Sequence, residues 1–461
     1  MDDAMNNNIE QTSGSVETSI REENAVQQGS VETGEEESTL NNNTQAPKQK
    51  KKIGLIIGAI SIVIAMIIAA VVFAGGSEGK STSGKGTLFK QGLLSASSGD
   101  KWGYIDKTGS YVINPQFDAA WDFADNGLAR VLSSDKWGYI DTTGSYVINP
   151  QFDSAWDFAD DGLACVESDD KWGYIDTTGA YVIKPQFDWA YNFGDNGFAC
   201  VESGDKWGYI DKTGSYVINP QFDNADVFAV NGFAQVRSDD KWGYIDTTGS
   251  YVIKPQFDVA GVFADNGLAR VQSGDKYGYI DKTGSYVINP QFDDAWSFAD
   301  DGIARVQSGD KYGYIDKTGA YVIKPQFDEA YDFEDGVAVV KLGEKYALID
   351  MQGKYIVNPI YDNMGEKVSS GLVYFADKNG KVGYLNTSGE EIVPAQFDYL
   401  YSDSDLGWAE DFYDDGYTII RMGDVCGVID KTGKYIINPQ FDRLRYGLSS
   451  WWMIDFNSLI K

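Results

Sequence analysis

Residues 101–135 read KWGYIDKTGSYVINPQFDAAWDFADNGLARVLSSD, and this stretch decides the architecture because the chain repeats it. The unit restarts every 35 residues, at Lys136, Lys171, Lys206, Lys241, Lys276 and Lys311. Looser copies follow around Tyr346, Val382 and Cys426. A fixed period of this length is typical of repeat architectures, in which each unit buries its apolar face against its neighbours.

Three segments of each unit have strand-like sequence, as the copy at 127–148 illustrates. They are 127–131 (GLARV), 136–141 (KWGYID) and 145–148 (SYVI), separated by turn residues. The stretch 141–144 (DTTG) predicts a hairpin turn whose glycine is left-handed. Pro150 is expected to end the third strand because proline cannot donate to a ladder. The link 152–162 is expected to hold one helical turn.

The number and size of the units bear on whether the array is open or closed. Propellers usually have four to eight blades of four strands, with about 40 residues or more in each. About ten three-stranded units of 35 residues fit that pattern poorly. We therefore predict an all-β, elongated solenoid or superhelical array, with Ile140, Val147, Ile148 and Phe152 in its shared core. A propeller-like closure is the alternative.

The composition excludes several classes of function. The chain carries 69 acidic against 38 basic residues, which argues against a nucleic-acid partner because phosphates need basic residues. It contains no histidine, which removes His-based triads and His zinc sites. No CxxC motif accompanies its three cysteines, so zinc ribbons are excluded as well. We predict no cofactor and no metal.

Two of the cysteines, Cys165 and Cys200, occupy the same column of successive repeats. Other copies place polar residues in that column, namely Arg130, Gln235, Arg270 and Arg305. This pattern predicts a solvent-facing column with two half-buried thiols. A disulfide between adjacent repeats is the second interpretation, and it requires Cα atoms within about 7 Å.

The first part of the chain differs in composition from the repeats. Residues 1–52 are polar and end in a lysine cluster, which predicts a disordered cytoplasmic tail. Residues 53–74 carry no charge and are long enough for a transmembrane helix. A flexible linker is expected at 75–88, then the repeat array at 89–442, outside the cell, and a C-terminal cap at 443–461. A single-pass protein of the cell membrane is thus predicted.

The segments KWGYIDKTG, YVINPQFD and GLARV together resemble the WG repeat family, whose units are named for a Trp-Gly pair. Here the pairs are Trp102-Gly103, Trp137-Gly138, Trp172-Gly173, Trp207-Gly208 and Trp242-Gly243. Tyr277 and Tyr312 replace the tryptophan in the next two copies. The resemblance implies a β-rich repeat domain in bacterial, often surface-anchored proteins, with no catalytic residue. The tryptophans of these pairs are expected in the core.

A second aromatic column varies between repeats. Its members are Trp121, Trp156, Tyr191, Trp296 and Tyr331, and Asp226 and Gly261 interrupt it. An exposed row of rings could stack on sugars or anchor a partner protein. Packing at the edge of the core is the other interpretation of the same column.

The aspartates that recur in every unit are expected to serve turns and caps, because near-identical repeats do not create one unique active site. The segment 122–127 (DFADNG) lacks the spacing of an EF-hand loop. We therefore predict no enzyme, but an envelope-anchored repeat protein that binds protein or cell-wall polysaccharide. The alternatives are a structural spacer or stalk and, less favoured, a glycan hydrolase with a carboxylate pair in 363–424.

Overall fold

The structure is a computed structural model that describes residues 86–399 and 411–445. All regular structure in these residues is β: 39 strands form ten antiparallel sheets, or blades, arranged in a ring as a β-propeller. Nine blades have four strands, and blade 10 has three together with a single bridge between Asp398 and Arg421.

The bounds of the strands follow in chain order. Blades 1 to 3 contain β1 Leu94–Ser98, β2 Lys101–Ile105, β3 Tyr111–Phe117, β4 Ala119–Ala120, β5 Ala129–Ser133, β6 Lys136–Ile140, β7 Tyr146–Phe152, β8 Ser154–Ala155, β9 Leu163–Ser168, β10 Lys171–Asp176 and β11 Tyr181–Phe187. Blades 4 to 6 contain β12 Trp189–Ala190, β13 Ala199–Glu202, β14 Trp207–Ile210, β15 Tyr216–Phe222, β16 Asn224–Ala225, β17 Ala234–Ser238, β18 Lys241–Ile245, β19 Tyr251–Phe257, β20 Val259–Phe263, β21 Ala269–Ser273, β22 Lys276–Ile280 and β23 Tyr286–Phe292. Blades 7 to 10 contain β24 Asp294–Ala295, β25 Ile303–Ser308, β26 Lys311–Asp316, β27 Tyr321–Phe327, β28 Glu329–Ala330, β29 Val337–Leu342, β30 Lys345–Asp350, β31 Tyr355–Tyr361, β32 Asn363–Met364, β33 Leu372–Ala376, β34 Val382–Asn386, β35 Glu391–Phe397, β36 Tyr417–Met422, β37 Val425–Asp430 and β38 Tyr435–Phe441, followed by β39 Arg443–Arg445.

The last strand closes the ring. β39 pairs antiparallel with β1, so blade 1 has the order β3-β2-β1-β39 and combines both ends of the described chain. The turn glycines also lie against the preceding blade. A Cβ on Gly144 of blade 2 would meet Ile113 of blade 1, and a Cβ on Gly109 of blade 1 would meet Ile437 of blade 10. The predicted open solenoid is therefore wrong, and the closed propeller is correct.

Nine of the ten blades begin with a short strand that we did not predict from the sequence. One residue, Asp118, separates the end of β3 from the two-residue β4 of the next blade. Backbone hydrogen bonds extend the pairing of β4, from Asp118 N to Leu132 O and from Ala124 N to Leu128 O. The link 152–162 is built in the same way, so the helical turn expected there is wrong.

Proline does not end the long strand of each unit, contrary to our expectation. β7 runs through Pro150 to Phe152. Its register against β6 shifts between the Tyr139–Ile148 and Trp137–Phe152 pairs. The shift leaves the proline in a bulge, where its missing N–H is not required by the ladder. The hairpin turn is confirmed: Gly144 N donates to Asp141 O, and Gly144 has a φ of 85°.

The core lies between successive blades, where large side chains meet small ones. Tyr139 and Phe152 of blade 2 pack against Ala155, Ala164 and Ile175 of blade 3. Burial of this apolar surface, repeated around the ring, is the main source of its stability. We had predicted Val147 in this core, and that prediction is wrong because Val147 is 42% exposed.

Aspartates at the blade junctions link one blade to the next. Asp153 accepts a hydrogen bond from Lys136 Nζ of the preceding blade and another from the backbone of Asp169. The first of these bonds lowers the pKa of Asp153. Asp141 instead binds the amides of Thr143 and Ser145 within its own turn. These contacts confirm the structural role predicted for the recurring aspartates.

Residues 1–85, 400–410 and 446–461 lie outside the described residues. They include the predicted tail 1–52, the predicted transmembrane helix 53–74 and most of the linker, all of which stay predictions. The first three residues of the predicted cap form β39. Among residues 86–399 and 411–445, no helix is long and apolar enough to cross a membrane.

Candidate binding surfaces

The five aromatic residues predicted to contact a ligand are half-buried and pack along the blade faces. The rings of Trp121 and Trp137 lie 4.9 Å apart at their centroids, and those of Tyr191 and Trp207 lie 5.6 Å apart and stacked. The equivalent pairs are Trp156 with Trp172 and Trp296 with Tyr312, and Tyr331 packs in the same cluster as Tyr346. The column therefore contributes to blade packing, because each of its rings already contacts a neighbouring aromatic ring.

The backbone of this column also joins blades. Tyr139 of blade 2 donates its hydroxyl to the carbonyl of Trp156 in blade 3, at 2.6 Å. Tyr209 makes the same bond to Asp226, although the column carries no aromatic ring there. The interblade bond needs only a carbonyl, which explains why Asp226 and Gly261 are accommodated.

The column of Arg130 is not solvent-facing, so that prediction is wrong. The Arg130 guanidinium lies 4.6 Å from the centroid of the Trp121 ring, and its Nε lies 2.8 Å from Asp157 of the next blade. Its Nη1 also donates to the carbonyl of Ala155. Stacking and ion pairing together allow the cation to be buried between blades.

The cysteines of the same column are buried and free. Cys165 Sγ lies 3.6 Å from the Ala190 carbonyl, and Cys200 Sγ lies 3.4 Å from the Ala225 carbonyl. Each thiol therefore faces the next blade and takes the place of an arginine, and the disulfide considered above is not formed. Burial raises the pKa of both thiols, which makes them poor nucleophiles.

Asp226 places a carboxyl group where other blades have an aromatic ring. Burial raises its pKa to about 7. Because the pKa of an unfolded aspartate is about 3.9, the folded chain holds this proton more tightly than the unfolded chain does. The contribution of Asp226 to stability is therefore greatest below about pH 4 and declines as the pH rises towards about 7.

Replacing Asp226 with asparagine should remove this pH dependence. We expect the variant to gain stability over the wild type as the pH rises from 5 to 8, because an amide does not ionise between the blades. Denaturant unfolding at both pH values measures the effect. Asp160→Asn, which removes an exposed carboxylate, is the matched control, and an equal gain in that variant would contradict the assignment.

The glycine of each Trp-Gly pair lies directly against the main chain of the fourth strand. A Cβ on Gly138 would lie 2.6 Å from Ile148 O and Pro150 N, closer than real Cβ atoms approach backbone. The same holds for Gly103, Gly173, Gly208 and Gly243. The preceding tryptophans range from buried at Trp172 and Trp242 to half-buried at Trp102, Trp137 and Trp207.

This Trp-Gly unit is what the family comparison recognises. The family model described as "WG containing repeat" matches ten consecutive segments: 102–137, 137–172, 172–207, 207–242, 242–277, 277–312, 312–346, 347–381, 383–426 and 427–446. The chain belongs to the WG containing repeat family. The first seven matched segments, from 102–137 to 312–346, each begin in the third strand of one blade and end in the third strand of the next, so the repeat and the blade are out of phase.

Other comparisons give weaker similarities. None of the curated proteins compared with this chain matches it. Among solved structures, the WG repeats are similar to a eukaryotic initiation factor, at 11% identity over 77% of this chain and 96% of that chain, with a TM-score of 0.45. BamB from Moraxella catarrhalis shares 13% identity over 69% and 95% of the two chains, with a TM-score of 0.33.

The most exposed repeated aromatic residues are ones that our sequence analysis did not select. The fourth strand of six consecutive blades begins with a Tyr-Val pair whose two side chains are exposed. The tyrosines are Tyr146, Tyr181, Tyr216, Tyr251, Tyr286 and Tyr321. We call these six pairs the Tyr-Val ridge. The repetition of YV was visible in the sequence, but the exposure of both side chains was not.

Shallow pockets open beside two members of the ridge. One is lined by Ser168, Asp169, Lys171, Tyr181, Lys184 and Pro185 and holds about 390 Å³. The other is lined by the equivalent residues Ser238, Asp239, Lys241, Tyr251, Lys254 and Pro255 and holds about 360 Å³. In residues 86–399 and 411–445, no group of three or more His, Cys, Asp or Glu is arranged to hold a metal ion.

Proposed function

We propose that this protein is a non-catalytic binding module of the cell envelope, which displays its ring of WG repeats outside the membrane to bind a protein or a cell-wall glycan. The observation that carries the proposal is the Tyr-Val ridge. Exposed tyrosines with an apolar body and a polar tip are well suited to contact either kind of ligand. The uncharged segment 53–74 is the anchor in this proposal.

The repetition of the ridge supports binding through many weak sites. Six consecutive blades present nearly the same side chains, with tyrosine exposures between 40% and 43%. A polymer or an array of partners that contacts several blades at once would be held by avidity, without any single strong site. A repeat architecture with equivalent surfaces suits this task better than it suits a unique catalytic centre.

The test is retention of the full chain on isolated peptidoglycan and on immobilised envelope proteins. We expect the wild type to be retained on one of these materials and a variant with serine at the six ridge tyrosines to be lost from it. Val230→Ser, which removes an apolar side chain that is 78% exposed elsewhere, is the control and should not alter retention. Failure of the wild type on both materials would favour a structural spacer instead.

A further inference from the structure

We propose that the two pockets beside Tyr181 and Tyr251 are saccharide-binding subsites, each taking one residue of a neutral oligosaccharide. The inference rests on the proposed binding function and deepens it, since it selects two of ten blades and one class of ligand. Their volumes of about 390 and 360 Å³ fall within the usual range for small-ligand pockets, roughly 300–1,000 Å³.

The aromatic floor of each pocket is held in place before any ligand arrives. The hydroxyls of Tyr181 and Ser168 share a hydrogen bond of 3.2 Å. The Tyr181 ring also meets Phe152 of the preceding blade edge-on, at 6.3 Å between centroids. Tyr181 nevertheless stays 42% exposed. A ring fixed at both its edge and its tip loses little conformational entropy when a sugar stacks on its open face.

The second pocket repeats these contacts. The hydroxyls of Tyr251 and Ser238 lie 3.2 Å apart, and the Tyr251 ring meets Phe222 edge-on at 6.2 Å. Tyr251 is 43% exposed. The same arrangement therefore occurs in blades 3 and 5, with blade 4 between them.

The charges at the rim favour a neutral ligand. Lys171 is already paired with Asp188, so it contributes no net charge. That leaves the ammonium of Lys184 and the carboxylate of Asp169, which cancel. Their donors and acceptors match the hydroxyl and amide groups of a sugar, whereas a polyanion would be repelled by the strongly acidic chain.

The combination of residues distinguishes these two blades from the others. Blade 4 has Tyr216 with a similar exposure and the same edge contact, to Phe187 at 6.3 Å. It carries Asn219 in place of Lys184 and Gly204 in place of Asp169. Tyr216 therefore provides a matched exposed ring without the polar rim.

Titration calorimetry of the full chain with chitopentaose, cellopentaose and maltopentaose tests the proposal. We expect one of these neutral oligosaccharides to saturate two sites on the wild type. Tyr181→Ala should leave one site, and the double variant with Tyr251→Ala should leave none, a loss of at least about tenfold in affinity. Asn219→Ala, which changes the equivalent rim position of blade 4 and lies outside the ridge, should retain both sites.

A second pair of substitutions tests whether misfolding could explain a loss of oligosaccharide binding. Lys184→Asn and Lys254→Asn introduce the residue that other blades carry at this position, and together they should abolish saturable binding. Failure of all three sugars to bind, retention of binding in this pair, or an equal loss in Asn219→Ala would each overturn the proposal. If the full chain is still retained on envelope proteins, only the saccharide subsites are rejected and the proposed binding function stands.

Discussion

Replacing Gly173 with alanine is expected to destabilise the ring by about 1–3 kcal/mol, the usual cost of forcing an extra methyl group into a packed site. A Cβ at this position would lie 2.6 Å from Ile183 O and Pro185 N. Both are main-chain atoms of the fourth strand, so the strand itself must move and the bulge at Pro185 must change. The shift would reach Tyr181 in the same strand and so distort the proposed subsite.

Gly261→Ala provides the same chemical change with the opposite expectation. A Cβ on Gly261 would meet Arg270 at 3.5 Å or more, an ordinary contact, and other blades carry large rings at this position. Because alanine also restricts the unfolded chain, we expect a gain of about 0.4–1 kcal/mol.

The two variants are compared by denaturant unfolding, together with amide exchange of β10 and β21, because repeat arrays need not unfold in one step. Equal effects of the two changes would refute the packing explanation of the Trp-Gly pair. Ala347 occupies the glycine position in blade 8, which shows that the strand can be rearranged when the surrounding sequence changes with it.

A disulfide across the closure should form readily in the double variant Ser97→Cys and Arg443→Cys. These residues are direct partners between β1 and β39. Cα atoms of antiparallel partners lie about 4.5–5.5 Å apart, within the range that a disulfide requires. Because the bond closes a loop of well over 100 residues, it should stabilise the ring by up to about 5 kcal/mol. Faster migration on a non-reducing gel reports its formation.

The control for this cross-link combines Ser97→Cys with Thr248→Cys. Thr248 lies in a turn of blade 5. This control should remain reduced under the same conditions, and the native cysteines are buried and should not compete. An open array holds its two ends apart, so a folded double variant that fails to cross-link would disprove the closure. We therefore expect a cross-link in the first double variant and none in the control.

The failure to predict the short first strand of each blade has a local cause. Ala119–Ala120 has only two residues and no alternation, so it carries no periodic signal of its own. Its pairing is decided by Leu132 and Val131, which follow it after a turn. With three strands predicted in each unit, the four-stranded blade of a propeller seemed a poor match, although the 35-residue period was correct.

The error over the Arg130 column arose because residue type is a weak guide to burial at an interface. Arginine, glutamine and cysteine in one column suggest exposure. Arg130 is nevertheless covered because Trp121, Asp157 and Ala155 O together satisfy its charge and its donors. Two of these partners, Ala155 and Asp157, belong to the next blade and lie at least 25 residues away in the sequence.

The amino-acid sequence was enough to predict the 35-residue period and the WG family, because both are repeated residue patterns. It also predicted three of the four strands and the left-handed turn glycines, because these depend on residues a few positions apart. Three features depend on tertiary contacts: the closure of the array, the packing of the Trp121 column against neighbouring rings, and the exposure of the Tyr-Val ridge. Closure depends on β1 meeting β39 after the small rotations between ten blades have accumulated. Exposure depends on which side chains of a strand face the next blade, and neither closure nor exposure can be read from a local sequence pattern.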